Sequence, residues 1–395
     1  MIYFDNAATS RYKPKCVIDA LVEETKNSAN ASRGAHNDAI NLGYKIFQTR
    51  ENVKKYFNAY GYSVIFTKNC SEALNLAIIG SAKRGGHVIT TCYQHNSVLR
   101  ALSYLEQAKS VKWDAVFFKD NLQKVENLVN SNVKFKNEDV KISIEDVEKL
   151  ITPSTYMLIV NHISNVTGEE EDLEEYAYLC KKYSLKLLID GAQSVGHKLI
   201  DLEKLDATFL CSSGHKGLMG AQGTGFLVVK SNEKLSPISF GGTGTKSKDI
   251  IQPRENFEDY EVGTLNSAGI VALNSAINFN LQNFNLINSK IESLTKILKS
   301  CKFNNNVIIY SPEDTFNGIF TFNVKNIPSD MTAKILNEKY SIATRSGFHC
   351  APLVHKSLNT YNSGAVRVSI GYNNSLSDVY KLITAIEEIS ENSNT

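Results

Sequence analysis

Short apolar runs alternate with amphipathic segments along the first two thirds of the chain. The apolar runs predict strands at residues 64–66, 87–91, 156–160, 185–190 and 207–211. Segments with apolar residues at helical spacing predict helices at residues 38–57, 71–82, 97–107 and 173–183. Strands that are buried on both faces lack the polar alternation of half-exposed strands, and these runs lack it. The pattern therefore predicts an α/β fold with a mostly parallel sheet covered by helices.

The last third of the chain has a different pattern. A long helical segment begins near residue 268 and reaches about residue 300. The segments after it predict strands at 307–310, 319–322 and 365–370, a helix at 331–340 and a final helix. This order predicts a smaller α+β unit at the C-terminus.

Residues 119–148 are rich in asparagine and lysine and only weakly apolar. Such a composition favours an exposed insertion or a partly ordered loop. The segment either binds a partner or is a neutral surface loop.

Charge and hydropathy limit the possible partners. The 395 residues include 43 basic and 41 acidic residues, which gives a formal net charge of +2. This balance gives no field that would favour nucleic acid or a membrane surface as a partner. No apolar run reaches the roughly 18 residues of a membrane span. Residues 1–6 lack the basic and apolar regions of a signal peptide, so we expect a cytoplasmic protein.

Seven cysteines are scattered along the chain without a Cys-x-x-Cys pair. The odd number and the spacing disfavour a disulfide framework and a cysteine zinc site. We therefore expect reduced thiols and predict no metal site.

The most informative segment is Ser-Ser-Gly-His-Lys-Gly at residues 212–217. Its lysine, Lys216, follows a predicted strand, and an enclosed lysine forms imines with carbonyl compounds and shifts its pKa readily. Ser213 and His215 are suited to donate hydrogen bonds to a phosphate. The alternative is an exposed turn with an ordinary lysine.

Asp190 ends a predicted strand and begins the sequence Asp-Gly-Ala-Gln. In an open parallel sheet, ligands bind outside the carboxyl ends of the strands. A carboxylate there is suited to pair with a protonated pyridine nitrogen, and Gln193 is suited to reach the ring hydroxyl. The alternative is that Asp190 caps the next helix. Together with Lys216, this segment predicts a pyridoxal-phosphate enzyme.

Cys70 and Ser71 open a predicted helix directly after a strand. Free backbone N–H groups and the helix dipole make such a position suitable for a phosphate. A capping box with Asn69 as the N-cap and Glu72 three residues later is an equally valid interpretation of this segment.

Two further polar segments follow predicted strands at the same edge. His95 lies at a strand-to-helix turn and is suited to stack on a pyridine ring, with Asn96 or Ser97 as the helix cap. Asn165 follows the next apolar strand, and we expect it to contact the cofactor or the substrate.

The flanking Ala351-Pro352 and His355 indicate that the segment at residues 344–352 is an ordered loop rather than core. Within this loop Cys350 has His349 and Arg345 as neighbours that favour a thiolate, which makes it the candidate nucleophile. Arg367 lies inside an apolar strand and needs a counter-ion, for which the carboxylate of an amino acid is suited. The alternative for Arg367 is a structural ion pair.

Four motifs occur in the order found in one family. They are Asp-Gly-Ala-Gln at 190–193, Ser-Ser-Gly-His-Lys at 212–216, Arg-x-Gly-x-His-Cys-Ala at 345–351 and Val-Arg-Val-Ser at 366–369. In this order they resemble the class V aminotransferases, which are fold-type I pyridoxal-phosphate enzymes. Within that family the chain is similar to cysteine desulfurases. Residues 3–9 and 30–36 extend the resemblance nearly from end to end.

The resemblance implies a division into two domains. A large domain that binds pyridoxal phosphate is expected at residues 16–264. Residues 1–15 and 265–395 are expected to form a small domain that carries Cys350 and Arg367.

The resemblance also implies how the cofactor is held. Lys216 would attach it covalently and shuttle a proton, and His95 would stack on its ring and take part in catalysis. Asp190 would pair with the pyridine nitrogen and Gln193 with the ring oxygen. The phosphate would be held by Cys70, Ser71, Ser213 and His215, and by Thr264 reaching across the interface of a homodimer with shared active sites.

For the reaction, the resemblance implies that Arg367 binds the carboxylate of L-cysteine and that Asn165 lies beside substrate and cofactor. Cys350 would attack the substrate sulfur, which yields L-alanine and a persulfide on Cys350. The persulfide sulfur would then pass to an acceptor protein, for example in iron–sulfur cluster assembly or tRNA thiolation. The sequence does not choose among these pathways.

Other reactions share this scaffold. A selenocysteine lyase, another lyase or an epimerase is the alternative, and only sulfur transfer needs a thiolate such as that of Cys350. A non-catalytic scaffold is disfavoured because Lys216 and Asp190 are present. Two positions depart from the family pattern: Cys70 stands where threonine is usual and is a weaker hydrogen-bond donor, and Phe348 replaces a residue that is polar in some branches.

Overall fold

The computed structural model describes residues 1–31, 34–118, 137–244 and 246–392. In chain order the elements of the first two thirds are β1 (Ile2–Tyr3), α1 (Lys15–Lys26), α2 (Asn37–Tyr56), β2 (Tyr62–Thr67), α3 (Cys70–Gly80), β3 (His87–Thr91), α4 (Asn96–Lys109), β4 (Lys112–Val116), α5 (Asn137–Val140), α6 (Ile144–Lys149), β5 (Thr155–Asn161), α7 (Leu173–Tyr183), β6 (Lys186–Asp190), α8 (Leu202–Leu205), β7 (Phe209–Ser213) and β8 (Gly225–Lys230). After a short 3-10 helix (Phe257–Tyr260) the elements are α9 (Ser267–Ser300), β9 (Val307–Ile309), β10 (Ile319–Val324), α10 (Ser329–Tyr340), β11 (Ile342–Ala343), β12 (Arg345–Gly347), α11 (Pro352–Ser357), β13 (Ala365–Ser369) and α12 (Leu376–Glu391).

A seven-stranded sheet forms the centre of the larger part, in the order β2-β8-β7-β6-β5-β3-β4. Strands β7, β6, β5, β3 and β4 are parallel, and β8 runs antiparallel to both of its neighbours. Every residue of β3, β5 and β7 is buried, because α3 and α4 cover one face while α2, α7 and the start of α9 cover the other. The predicted mostly parallel sheet with helices on both faces is confirmed. Strands β4 and β8 were not predicted.

The smaller part contains a four-stranded antiparallel sheet in the order β12-β13-β10-β9. Helices α10 and α12 pack against it through Leu336, Leu382 and Ile386, which share a core with Phe320 and Phe322. The predicted α+β unit at the C-terminus is confirmed. Strand β13 places Arg367 beside Arg345 of β12 and Thr321 of β10.

The N-terminal segment joins the smaller part rather than the large sheet. Strand β1 pairs in parallel with β11, Phe4 lies in the core of the smaller part, and its carbonyl accepts a hydrogen bond of 2.7 Å from the Ser369 N–H. Helix α9 contributes its first turns to the core of the large sheet and its last turns to the smaller core. The division at residues 264 and 265 remains our proposal.

The predicted insertion at 119–148 lies partly outside the described residues, since 119–136 are not among them. In the remaining part the prediction of an exposed segment is wrong. Val140, Ile142 and Val147 are buried in the main core, and the Tyr93 hydroxyl donates to the Val140 carbonyl. Among the described residues, no helix is both long and apolar enough to cross a bilayer.

Candidate active site

The carboxyl ends of the parallel strands bring the predicted cofactor residues to one edge of the sheet. Asp190 is the last residue of β6, Ser213 the last of β7, and Lys216 follows β7 in the next turn. The Cys70 thiol, at the start of α3, donates to Asp190 Oδ1 over 3.6 Å. The sheet topology therefore places a lysine, a carboxylate and a thiol next to one another.

Lys216 is half-buried in a strongly charged environment. Burial lowers the pKa of its ammonium group, while the neighbouring Cys70 and Asp190 oppose that change. The positive charges of Arg367 and Arg345 lower the pKa further. A lysine whose pKa is lowered in this way has a larger fraction of free amine, which is the form that reacts with an aldehyde.

Asp190 is buried, and its Oδ1 accepts a hydrogen bond of 2.9 Å from the Ala192 N–H. Burial raises the pKa of this carboxyl group, and the Ala192 N–H opposes that change. The alternative interpretation of Asp190 as a helix cap is wrong, because residues 191–201 contain no helix. A buried carboxylate at this edge gives a cationic ring nitrogen a counter-charge.

Asn69 is the N-cap of α3, as the sequence predicts, but the second bond of the predicted capping box comes from the Lys68 N–H and not from the Asn69 N–H. Asn69 accepts a hydrogen bond of 2.9 Å from the Glu72 N–H, and Glu72 in turn accepts from the Lys68 N–H over 2.6 Å. The side chain of Cys70 is buried and donates to Asp190, so it is not directed at the free N–H groups of the helix N-terminus. The exposed Ser71 hydroxyl lies 2.6 Å from that of Ser97 at the start of α4.

His95 itself is the N-cap of α4, so the prediction that Asn96 or Ser97 caps this helix is wrong. Its Nδ1 accepts a hydrogen bond of 3.1 Å from the Ser97 N–H. Burial and the charge of Lys216 lower the pKa of His95 to about 4. The imidazole is therefore neutral at neutral pH and can lie against an aromatic ring without adding a positive charge.

The N-terminal segment closes one side of the site. His215 Nδ1 lies 3.0 Å from the Thr9 hydroxyl, and Gln193 Nε2 donates to the Ala7 carbonyl over 3.0 Å. Burial and the charge of Lys216 lower the pKa of His215 to about 4. The buried Ser213 hydroxyl has no hydrogen-bond partner among the described residues.

Arg367 enters the site from β13 and is almost completely buried. Its Nη2 donates to Asp5 Oδ1 over 2.9 Å and its Nη1 donates to the Asn165 carbonyl over 3.0 Å. Its Nε has no partner among the described residues. The ion pair that we considered as the alternative for Arg367 is present, and sequence reasoning missed Asp5. The one sequence feature that pointed to Asp5 is its place in residues 3–9, which resemble the family.

Cys350 lies on a tight turn between β12 and α11. Arg345 Nη2 lies 3.5 Å from Cys350 Sγ, within reach of a hydrogen bond to the sulfur. The prediction of a loop rather than core is wrong for the flanking residues. Ala351 is fully buried, and His355 is equally buried within α11.

Within a single copy of the chain, Thr264 lies apart from the other predicted cofactor residues. It is exposed and lines a surface groove together with Phe47 of α2. The preceding Glu261 is buried and forms a two-pronged ion pair with Arg50 at 2.7 and 2.5 Å. This ion pair ties the exposed segment to α2 and β2.

The geometry fits pyridoxal phosphate. It offers an enclosed amine on Lys216, a buried carboxylate on Asp190 and the unpaired hydroxyl of Ser213. A glycine is needed at 214 because a Cβ there would lie 2.4 Å from the Thr224 hydroxyl, which would disturb the strand end that precedes Lys216. An amine, a carboxylate and a hydroxyl are suited to bind the aldehyde, the ring nitrogen and the phosphate of this cofactor, respectively.

Comparison with known proteins gives a consistent result. The family model for class-V aminotransferases matches residues 2–382. The chain is 30% identical to a probable cysteine desulfurase of Methanothermobacter thermautotrophicus and 32% identical to one of Pyrococcus abyssi, in each case over 98% of this chain and 94% of the relative. The solved apo structure of a cysteine desulfurase from Thermococcus onnurineus NA1 matches with a TM-score of 0.85 at 30% identity, over 99% of this chain and 95% of that one.

The chain therefore belongs to the class-V aminotransferase family and, within it, to the cysteine desulfurases. The predicted family and the predicted fold-type I architecture are both confirmed. Enzymes of this family use pyridoxal phosphate, which confirms the predicted cofactor.

Proposed function

We propose that this chain converts L-cysteine to L-alanine and keeps the released sulfur as a persulfide on Cys350. The observation that carries the proposal is the position of Cys350. Its sulfur lies beside the Arg345 guanidinium on a turn that is hydrogen-bonded to the sheet edge carrying Lys216 and Asp190. The guanidinium can donate a hydrogen bond to the sulfur, which holds the Cys350 side chain at this edge.

The substrate carboxylate would bind to Arg367. This guanidinium is buried, and Asp5 accepts from only one of its nitrogens. Burial lowers the pKa of Arg367 to about 10, which still leaves it charged at neutral pH. A charged, incompletely paired arginine in a closed site is stabilised by a second carboxylate.

Bound pyridoxal phosphate withdraws electrons from the Cα atom of the substrate amino acid. Lys216 would hold the cofactor, and Asp190 would keep the ring nitrogen protonated. Gln193 would contact the ring oxygen, and His95 would lie against the ring. The phosphate would be held by Cys70, Ser71, Ser213 and His215.

Lys216 Nζ would remove the proton from the substrate Cα and return a proton there as alanine forms. The Cys350 thiolate would attack the substrate Sγ. One sulfur–sulfur bond forms while the Cβ–Sγ bond breaks, and Cβ takes up a proton equivalent to the one that the Cys350 thiol released on becoming a thiolate. L-cysteine and the Cys350 thiol thus become L-alanine and a Cys350 persulfide. Asn165 would lie beside the reacting groups.

We further propose a homodimer in which Thr264 reaches the phosphate site of the second copy. Ile40, Tyr44 and Phe47 form an apolar face on α2, and they are 59%, 61% and 54% exposed. Apolar faces of this kind usually mark an interface. The groove beside Phe47 contains Thr264, so the same interface would bring this residue to the second site. An acceptor protein for the persulfide sulfur and a cytoplasmic location remain part of the proposal.

The test measures alanine and sulfide formed from L-cysteine in the presence of a thiol reductant. We expect equal amounts from the wild type and very little of either from Cys350→Ala. Cys16→Ala is the matched control, because Cys16 is an exposed free cysteine, and we expect it to match the wild type. An active Cys350→Ala variant would contradict the persulfide role and would favour a direct lyase.

A further inference from the structure

The turn that carries Cys350 has an unusual backbone. His349 and Cys350 both adopt left-handed conformations, with φ values of 50° and 58°. Residues with a Cβ rarely adopt this conformation, and two in succession persist only where the surroundings hold them. The contacts that hold this turn therefore decide where the Cys350 sulfur lies.

Two hydrogen bonds tie the turn to the large sheet. The Asn165 side-chain amide donates to the His349 carbonyl over 2.8 Å. The Asn96 N–H, at the first residue of α4, donates to the Cys350 carbonyl over 2.7 Å. Both donors belong to segments that follow strands of the large sheet, whereas the turn itself follows β12 of the four-stranded sheet.

Asn165 has a second contact in the same place. Its main-chain carbonyl accepts the bond from Arg367 Nη1. The residue is only 5% exposed, and its side-chain oxygen has no partner among the described residues. One buried residue thus joins the turn of the nucleophile to the arginine proposed to hold the substrate carboxylate.

We propose that Asn165 is a positioning residue that uses its side-chain N–H to hold the left-handed turn and so sets the distance between Cys350 and the substrate bound at Arg367. The proposal rests on the proposed function of Cys350 as the sulfur acceptor. Attack by a thiolate on a substrate sulfur requires the two atoms in line and close, and a small displacement slows such a step strongly.

Asn165→Asp tests this role, because it keeps the side-chain oxygen and removes the donor to the His349 carbonyl. In the holoenzyme we expect hydrogen exchange in the peptide covering residues 345–351 to become about tenfold faster. The kcat for alanine formation should fall about tenfold, while the KM for L-cysteine and the absorption band of bound pyridoxal phosphate change less than about threefold.

Asn161→Asp is the matched control. Asn161 ends β5, is equally buried, and donates a bond of 2.8 Å to the Tyr93 carbonyl, which is not part of the turn. It should leave exchange at residues 345–351 unchanged. Asn165→Ser also removes the amide donor and serves if the aspartate variant does not fold.

Unchanged exchange at 345–351 in folded Asn165 variants would overturn the proposal, as would equal acceleration in Asn161→Asp. A loss of activity through KM or cofactor binding alone would also overturn it. If the wild type forms no alanine, the proposed function fails, whereas faster exchange confined to the Asn165 variants would still support the hold on the turn.

Discussion

The cofactor side and the nucleophile side of the site are built in different ways. On the cofactor side, Asp190 and Ser213 are the last residues of two parallel strands, and Lys216 follows in the next turn. On the nucleophile side, Cys350 lies on a turn of two left-handed residues, held by bonds from other segments. The regular sheet places one half, and individual contacts place the other.

This difference has an energetic consequence. A strand end needs no backbone strain, whereas each left-handed residue with a side chain costs about 1–2 kcal/mol. The turn at His349 and Cys350 is therefore the part of the site that changes most readily when one contact is lost. Loss of a reacting group on the cofactor side should abolish alanine formation, whereas substitutions that loosen the turn should lower its rate only in part.

The largest effect is expected for Lys216→Ala, which removes the amine from the cofactor side. Alanine formation should fall by about 10³-fold, and the absorption band of covalently bound pyridoxal phosphate should disappear. Lys198→Ala is the control, because Lys198 forms an ion pair of 2.6 Å with Glu170 away from these residues. A Lys216→Ala variant with normal turnover would show that the cofactor is not attached there.

A smaller effect is expected for Arg367→Lys, which keeps the charge and loses the planar guanidinium. The kcat/KM for L-cysteine should fall about 100-fold, because lysine loses the bond to the Asn165 carbonyl and the additional N–H groups that the guanidinium offers to the substrate carboxylate.

Asp5→Asn sharpens the interpretation of Arg367, because it removes the negative charge of the ion pair. Steady-state kinetics should show a change in kcat/KM below about tenfold, since the substrate carboxylate supplies a second counter-charge. A larger loss than in Arg367→Lys would mean that the structural ion pair, and not substrate binding, explains Arg367.

The pH dependence of stability probes the nucleophile side. Burial lowers the pKa of His349 to about 2, so the unfolded state binds the additional proton as the pH falls below about 6.5. His349 therefore favours folding less as the solution becomes acidic. Burial raises the pKa of Glu169 to about 9, so this residue favours folding more as the solution becomes acidic. The effect of His349 on stability is therefore isolated by comparing the wild type with a variant that lacks this histidine.

Between neutral pH and about pH 5, we expect the free energy of unfolding of the wild type to fall by about 2 kcal/mol more than that of His349→Gln. Urea unfolding at both pH values measures this difference. An equal pH dependence in both proteins would show that His349 is not held neutral in the folded state.

The smallest effect is expected for Cys70→Thr on the cofactor side. A hydroxyl is a stronger donor than the thiol that now lies 3.6 Å from Asp190. It would stabilise the ionised carboxylate that faces the ring nitrogen of the cofactor, so the dissociation constant of the cofactor should fall by about two- to fivefold. Equilibrium titration of the apoenzyme measures it. Weaker binding would mean that the shape of Cys70 matters more than its donor strength.

Sequence patterns predicted the cofactor side because strand ends are visible in the sequence. The apolar runs before Asp190 and Lys216 predicted strands that the structure confirms, and their parallel order brings the polar residues together. The strand β8 escaped prediction because it follows the Lys216 turn without an intervening helix, and its antiparallel direction departs from the alternating pattern.

The nucleophile side was less predictable because its contacts join distant parts of the chain. The Asp5–Arg367 pair links the N-terminus to β13, and Asn165 contacts His349, which lies 184 residues later in the chain. No local periodicity encodes such pairs. The burial of Ala351 and His355 was missed because the proline and histidine of that segment are typical of a loop.

The most direct test of the central claim is the mass of the peptide that contains Cys350 after one turnover with L-cysteine and without reductant. We expect that this peptide, and no other cysteine peptide, gains one sulfur atom in an amount equal to the alanine formed. Alanine formed without added sulfur on Cys350, or with the sulfur on another cysteine, would contradict it.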